Sequence, residues 1–287
     1  MESGLPAEAI RRAVRDALAE DVGEGDVTTL ATVPADATAT AALVARESLT
    51  VAGLDFAQAV FHELSPAIRV ERRCQDGDAV RAGAVLLQLS GPARPLLTGE
   101  RVALNFVQHL SGVATLTARF VAAVAGTRAQ ILDTRKTTPG LRALEKAAVV
   151  TGGGVNHRFG LYDMVLIKDN HLAALGGLSS FADRIRRLRQ ERPNIRIEVE
   201  ADDLEQVRAF VEVDGIDVIL LDNMTPAQIR EAVALRRNNI KFEASGGITL
   251  KNVKRVAATG VDYISIGALT NSARAIDIAL EMTHVAG

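Results

Sequence analysis

The sequence predicts an α/β protein in which a small mixed sheet precedes a parallel β/α array of the barrel kind. Three observations carry this reading. Short Val/Ile/Leu-rich runs recur after residue 129, each followed by a helical stretch. Charged residues or glycines end nearly every run, as they do at the ligand-bearing mouth of a barrel. Residues 37–97 instead carry short strand patterns punctuated by Asp and Gly turns.

Composition sets the bounds. A length of 287 residues suits one large α/β domain, or a barrel with a smaller partner domain. The hydrophobic fraction is 48%, almost all aliphatic, with no Trp and 3% aromatics, which argues against base stacking on nucleic acid. A net charge of −2 gives no general attraction to nucleic acid or membrane, so an anion site must be local. The single cysteine, Cys74, forms no internal disulfide and fits a reducing cytosol. The N-terminus lacks a signal-peptide core, and no apolar run approaches the roughly 20 residues of a membrane span. The expectation is a cytoplasmic protein with neither nucleic-acid nor membrane partners.

Residues 6–20 read as an amphipathic helix with Ile10, Val14, Ala17 and Leu18 on one side. A polar loop, 21–29, follows. Residues 37–52 predict a strand, 54–64 a helix, and 68–72 and 85–89 further short strands. Thr98 is the expected N-cap of a long helix reaching about residue 125. Strands are then predicted at 129–132, 164–167, 195–199, 216–221, 240–244 and 261–266. Helices are predicted at 138–150, 179–191, 203–212, 226–237, 250–259 and 272–284. Six strands fall short of the eight of a complete barrel, so an incomplete, open-sided one fits the count.

The chemistry concentrates at the strand ends. Between Ile131 and His171 lie six Lys/Arg, two His and the tract Gly152–Gly154. The first two strands end in Asp133/Arg135/Lys136 and Lys168/Asp169/His171. The next two end in Glu198/Glu200 and Asp222/Asn223, the last two in Ser245-Gly246-Gly247 and Gly267-Ala268. In a closed array these ends converge. Cations would face carboxylates suited to Mg²⁺ or a ribose diol, and a glycine cradle before a helix would hold phosphate. Taken singly, each residue has an ordinary reading as a surface charge, a cap or a loop. Their shared position is what those readings leave unexplained. A lysine at a barrel strand end also permits a Schiff-base lyase, with Lys136 or Lys168 as nucleophile. A non-catalytic phosphate-binding barrel is the third reading.

The run Asp133-Thr134-Arg135-Lys136-Thr137-Thr138-Pro139-Gly140 resembles the DTRKTTPG motif of the quinolinate phosphoribosyltransferases, the decarboxylating nicotinate-nucleotide pyrophosphorylases. The resemblance continues through Gly153–Arg158, Leu166–His171, Glu198–Glu200, Leu221–Asn223, Glu243–Ile248, and Gly260–Asp262 with Gly267–Thr270. Upstream, Glu24–Thr29 and Gly99–Asn105 are similar to family motifs as well.

The resemblance implies an N-terminal α/β sandwich with its linking helix over residues 1–115, and an incomplete parallel α/β barrel over 116–287. The C-terminal helix would pack back on the first domain. It implies phosphoribosyl transfer from phosphoribosyl pyrophosphate to quinolinate with loss of CO₂, giving nicotinate mononucleotide in NAD biosynthesis. Mg²⁺ would assist, with no organic cofactor. It also implies a homodimer, or a larger assembly, in which Arg101 enters the neighbouring subunit's site. Catalytic roles fall to Lys136, Lys168, Glu200 and Asp222. Substrate contacts fall to Arg101, Thr134, Arg135, Lys136, His157, Arg158 and Lys168, and phosphate loops to Ser245, Gly246, Gly247, Gly267 and Ala268. Glu200 and Asp222 would hold Mg²⁺, partly through substrate phosphates. Asn271 stands where several relatives carry His or Lys. A paralogue of the same fold with another base substrate remains the nearest alternative.

Overall fold

The computed structural model describes residues 4–174 and 178–286. The chain forms two compact units, one of Met1–Ala118, Pro139–Gly153 and Ser272–Gly287, the other of Arg119–Thr138 and Gly154–Asn271. The first unit thus includes two later segments that the expected boundary at 115/116 assigned to the barrel.

The first unit holds helices α1 (Ala7–Val22), α2 (Val27–Thr32), α3 (Leu54–Leu64), α4 (Ala93–Ala123, which runs on into the second unit) and α5 (Arg142–Thr151). Its strands are β1 (Thr38–Ala45), β2 (Leu49–Thr50), β3 (Arg69–Arg72), β4 (Ala79–Val80), β5 (Val85–Pro92) and, from the end of the chain, β12 (Ile278–Ala286). They form an antiparallel sheet in the order β12-β1-β5-β3, with β2 and β4 paired apart. Helix α1 buries Ile10, Val14 and Leu18, the stripe its spacing predicts. Helix α3 follows Gly53, whose left-handed φ of 92° a side chain would strain. Buried Asp76 accepts the amides of Gly53 and Leu54 at 2.9 and 3.1 Å, tying down that helix start.

Two expectations fail here. Helix α4 begins at Ala93, so Thr98 lies inside it, and its hydroxyl donates to Asp26 at 3.1 Å instead of capping the helix. The predicted helix at 272–284 is the strand β12. Its apolar residues fit either period, and the unfilled edge of β1 decides in favour of a ladder from Thr38/Ala286 to Ala45/Ile278.

The second unit is a six-stranded, all-parallel sheet, β6 (Gln130–Leu132), β7 (Val165–Ile167), β8 (Ile197–Ala201), β9 (Val218–Asp222), β10 (Lys241–Ser245) and β11 (Tyr263–Ser265). Helices α6 (Asp169–Ala174), α7 (Leu178–Glu191), α8 (Leu204–Phe210), α9 (Pro226–Ala234) and α10 (Val253–Ala257) lie between strands from β7 to β11, and α11 (Ala268–Asn271) follows β11. Strand order is β6-β11-β10-β9-β8-β7, and the two end strands are not paired with each other, so the barrel is open between them. The inner strands β8, β9 and β10 are buried along nearly their whole length, as parallel strands covered by helices must be. Local signals start the helices: Asp203 caps α8, and Thr225 with Gln228 forms a capping box around Pro226 on α9.

The C-terminal segment is clamped in the first unit by Arg274, whose Nη1 donates to Glu47 Oε1 at 2.7 Å while Nη2 pairs with Oε2. The Arg274 guanidinium and the Asp277 amide hold the Glu47 carboxyl at about 2, below its ordinary 4.5. A depressed carboxyl pKa stabilises the fold above the unfolded value and loses that effect as pH falls through the folded one. The gap in urea midpoint between wild type and Glu47→Gln is therefore expected to be full above pH 4.5 and to close towards pH 2. Gly112, inside α4, abuts the Arg274 carbonyl oxygen so closely that a Cβ would overlap it. Gly112→Ala, which would stabilise a free helix, is expected to cost about 1–3 kcal/mol in urea unfolding.

Candidate active site

A cavity of about 590 Å³ opens at the carboxyl ends of the six strands. Thr134, Arg135 and Lys136 reach it from the end of β6, Lys168 from β7, Glu200 from β8 and Asp222 from β9. Ser245, Gly246 and Gly247 line it after β10, and His157 and Arg158 enter from the segment before β7. These residues are far apart in sequence, and the period-two facing of the strands brings them together. Leu166, Leu220, Asn223, Glu243 and Ser265 also line the cavity and were not singled out as site residues. Alternation could have found Glu243, which shares its strand face with Ser245 as Glu198 does with Glu200. Arg101, Gly267 and Ala268 are not among the lining residues. Arg101 is exposed on α4 in the first unit. Gly267 stands against Lys136: a Cβ there would come within 2.9 Å of the Lys136 Cδ.

The cations lie on one side of the charge balance. Burial and the neighbouring Arg135 guanidinium lower the pKa of Arg158. The Nε of Arg135 is buried without a hydrogen-bond partner among the described residues. Two guanidiniums held close with an unmet donor suit an anion, carboxylate above all, which a guanidinium can bind through two parallel bonds. Lys168 is already paired with Glu200 through Nζ and Oε2. Lys136 is exposed at the rim, its backbone fixed by the Thr134 hydroxyl at 3.0 Å and the Thr270 hydroxyl at 2.7 Å.

His157 is tied inward. Its Nε2 stands 3.1 Å from Glu198 and 3.5 Å from Glu243, and its Nδ1 accepts the Arg158 amide at 2.8 Å. Burial lowers its pKa, while the Glu198 and Glu243 carboxylates raise it. An amide aimed at Nδ1 requires a lone pair there, so the retained proton lies on the Nε2 side, between ring and acids. Glu198 is itself pushed up by burial and by Glu243.

On the acidic side, Glu200, Asp202 and Asp222 each bring a carboxylate oxygen within 4.8 Å of the others. Asp222 is steadied by the Asn223 side-chain amide at 2.7 Å, and Asn223 takes the left-handed φ of 54° that asparagine tolerates. Gly246 and Gly247 have φ of 90° and 61°. A Cβ on Gly246 would overlap the Asn223 amide, whereas the space beside Gly247 is open. The expected helix dipole behind this cradle is not adjacent: α10 starts at Val253, and a turn over 248–252 intervenes.

Comparison with known proteins bears on this site. The model of the quinolinate phosphoribosyl transferase C-terminal domain matches residues 113–281, and that of the N-terminal domain matches 26–111. The chain belongs to the quinolinate phosphoribosyltransferase family. It is 47% identical to the nicotinate-nucleotide pyrophosphorylase [carboxylating] of Mycobacterium leprae, over 98% of this chain and 100% of that protein. It is 43% identical to the probable enzyme of that name from Bacillus subtilis, over 92% and 90%. The solved nicotinate-nucleotide pyrophosphorylase of Francisella tularensis superposes with a TM-score of 0.91 at 37% identity, covering 98% of both chains. That of Ehrlichia chaffeensis gives 0.88 at 41%, over 94% and 97%. The family's antiparallel N-terminal sheet and six-stranded parallel sheet are therefore both present here.

A polyanion should recognise the paired guanidiniums and the glycine cradle in the folded state. Millimolar pyrophosphate is expected to raise the thermal midpoint by several degrees, and Lys136→Met should lose most of that shift. Scanning fluorimetry with and without pyrophosphate checks this.

Proposed function

We propose that this family member transfers the phosphoribosyl group of phosphoribosyl pyrophosphate to the ring nitrogen of quinolinate, with loss of CO₂, forming nicotinate mononucleotide for NAD biosynthesis. The relatives that match nearly its whole length carry that activity in their names, as nicotinate-nucleotide pyrophosphorylases or quinolinate phosphoribosyltransferases. The observation that carries the reading to this chain is one cavity that brings two arginines and two lysines together with Glu200, Asp222 and the Ser245–Gly247 cradle.

Arg135 and Arg158 take the two carboxylates of quinolinate and fix its ring. Ser245–Gly247 offer backbone amides to the 5′-phosphate, with Gly267 leaving room for Lys136 to reach the pyrophosphate. As the bond to pyrophosphate stretches, the sugar gains positive charge, which the Glu200 and Asp222 carboxylates stabilise across a short distance. The pyridine nitrogen then closes on the anomeric carbon. Once bonded, that nitrogen is cationic and draws in the electrons released when the adjacent carboxylate leaves as CO₂. The carbanion left behind takes a proton, for which Lys136 and Lys168 are the acids at hand. Catalysis of this kind is chiefly orientation and electrostatics.

The oxygen-only set Glu200, Asp202 and Asp222 fits Mg²⁺. Glu200 spends one oxygen on Lys168, so Asp222 and Asp202 would be the main holders. When bound, the ion supplies charge neutralisation to the departing pyrophosphate. Arg101, exposed on a different unit, fits the role of a residue donated to the site of a second copy, which supports a homodimer. No helix among the described residues is long and apolar enough to cross a membrane. Plant relatives are named chloroplastic or mitochondrial, and for this chain we propose the cytoplasm.

Incubation with phosphoribosyl pyrophosphate and quinolinate is expected to release pyrophosphate and CO₂ together, and nicotinate in its place to give neither. Lys136→Ala and Lys168→Ala should lower kcat/KM by about 100-fold or more while remaining folded by circular dichroism. Full pyrophosphate release by both variants would refute the site assignment.

A further inference from the structure

None of the steps above uses Glu198 or Glu243, two of the fully buried acids of the second unit. Glu198 on β8 and Glu243 on β10 are sealed from solvent, and none of their side-chain oxygens meets hydrogen-bond geometry with a donor among the described residues. Two carboxylates buried side by side need a shared proton or a polar partner. His157 Nε2 is within ion-pair range of both, at 3.1 and 3.5 Å. The opposite edge of the same ring accepts the Arg158 amide at 2.8 Å, while the His157 amide donates at 2.8 Å to Asp133, buried just past β6.

Residues 156–158 have no regular secondary structure of their own. Their position is fixed from three places: Asp133 after β6, Glu198 on β8 and Glu243 on β10. The imidazole is the link between the last two and the backbone that carries Arg158. A metal ion held by His157, Glu198 and Glu243 is incompatible with this arrangement. It would take the Nε2 lone pair and leave the proton on Nδ1, where the Arg158 amide needs an acceptor.

We propose that Glu198 and Glu243 are positioning residues that act through the His157 ring to set the backbone of Arg158, and with it the guanidinium that shares the cavity with Arg135. His157 is then a strut beneath the substrate and not a ligand to it, since both ring nitrogens are engaged within the protein. The inference rests on the quinolinate-binding role given above to Arg135 and Arg158. It implies that disturbing the acids affects the base substrate and spares the sugar phosphate, whose cradle lies on the loop after β10.

Steady-state kinetics of Glu243→Leu, Glu243→Gln and the same pair at Glu198 test it. Leucine removes the acceptor for Nε2, and glutamine keeps one. The Leu variants are expected to raise the KM for quinolinate about 10–100-fold and to leave the KM for phosphoribosyl pyrophosphate within about twofold. The Gln variants should return the quinolinate KM to within about threefold of wild type. In ¹⁵N-histidine spectra, with His157 assigned by its loss in His157→Gln, Nδ1 should be unprotonated and Nε2 protonated. Equal rises in both KM values, glutamine no better than leucine, or a protonated Nδ1 would each overturn the proposal. If the Leu variants do not fold, the Nδ1 signal in wild type and the Gln variants decides. That measurement needs no substrate, so a wild type unable to use quinolinate would count against the functional reading alone.

Discussion

Ser245 pairs with Asp222, and Leu220 pairs with both Glu200 and Glu243, in the parallel ladder of β8, β9 and β10. Because side chains alternate across a strand, this register puts Glu198/Glu200, Leu220/Asp222 and Glu243/Ser245 on the same face of three neighbouring strands. A slip of one residue in β9 would turn Asp222 away from the cavity and Leu221 into it. The apolar residues between the acids, such as Val199, Leu221 and Ala244, are buried on the opposite face, under the helices. Helix packing therefore fixes the register, and the register fixes the chemistry.

The site is electrostatically divided and stressed before any ligand arrives. Arg135 and Arg158 repel each other, and Glu198 and Glu243 share a buried space with one imidazole. The Lys168–Glu200 pair is locally neutral. Such stress is tolerated because the scaffold over-determines it: strands hold the acids, and Asp133 and His157 hold the loop. A dicarboxylate entering between the arginines would relieve repulsion as well as form bonds. This is how a rigid pocket gains selectivity for two charges over one.

Much of this was legible in the residues. Each of the six barrel strands lies within about two residues of its expected range, since short apolar runs bounded by turn residues have few other folds. The strand-end cations, the acidic pair and the glycine cradle were legible for the same reason. What escaped depended on distant partners. Residues 278–284 read as helix because nothing local reveals the vacant edge of β1. Thr98 looked like a cap because its real partner, Asp26, lies 72 residues earlier. Asn223 and Glu243 look like a cap and an ordinary strand acid until the fold sets them beside Gly246 and His157.

The pairing of β1 with β12 has a consequence for how the chain is made. Strand β1 emerges from the ribosome early, flanked by β5 on one side only, and the ladder on its other side is built from residues 278–286. Until residues 278–286 have been made, that edge of hydrogen-bonding groups is unpaired, and unpaired edges invite association with other chains. The parallel sheet, by contrast, has all its strands by residue 265. Synthesis thus completes the catalytic half before the half that begins the sequence, and the nascent protein passes through a stage in which its first-made sheet most needs a chaperone.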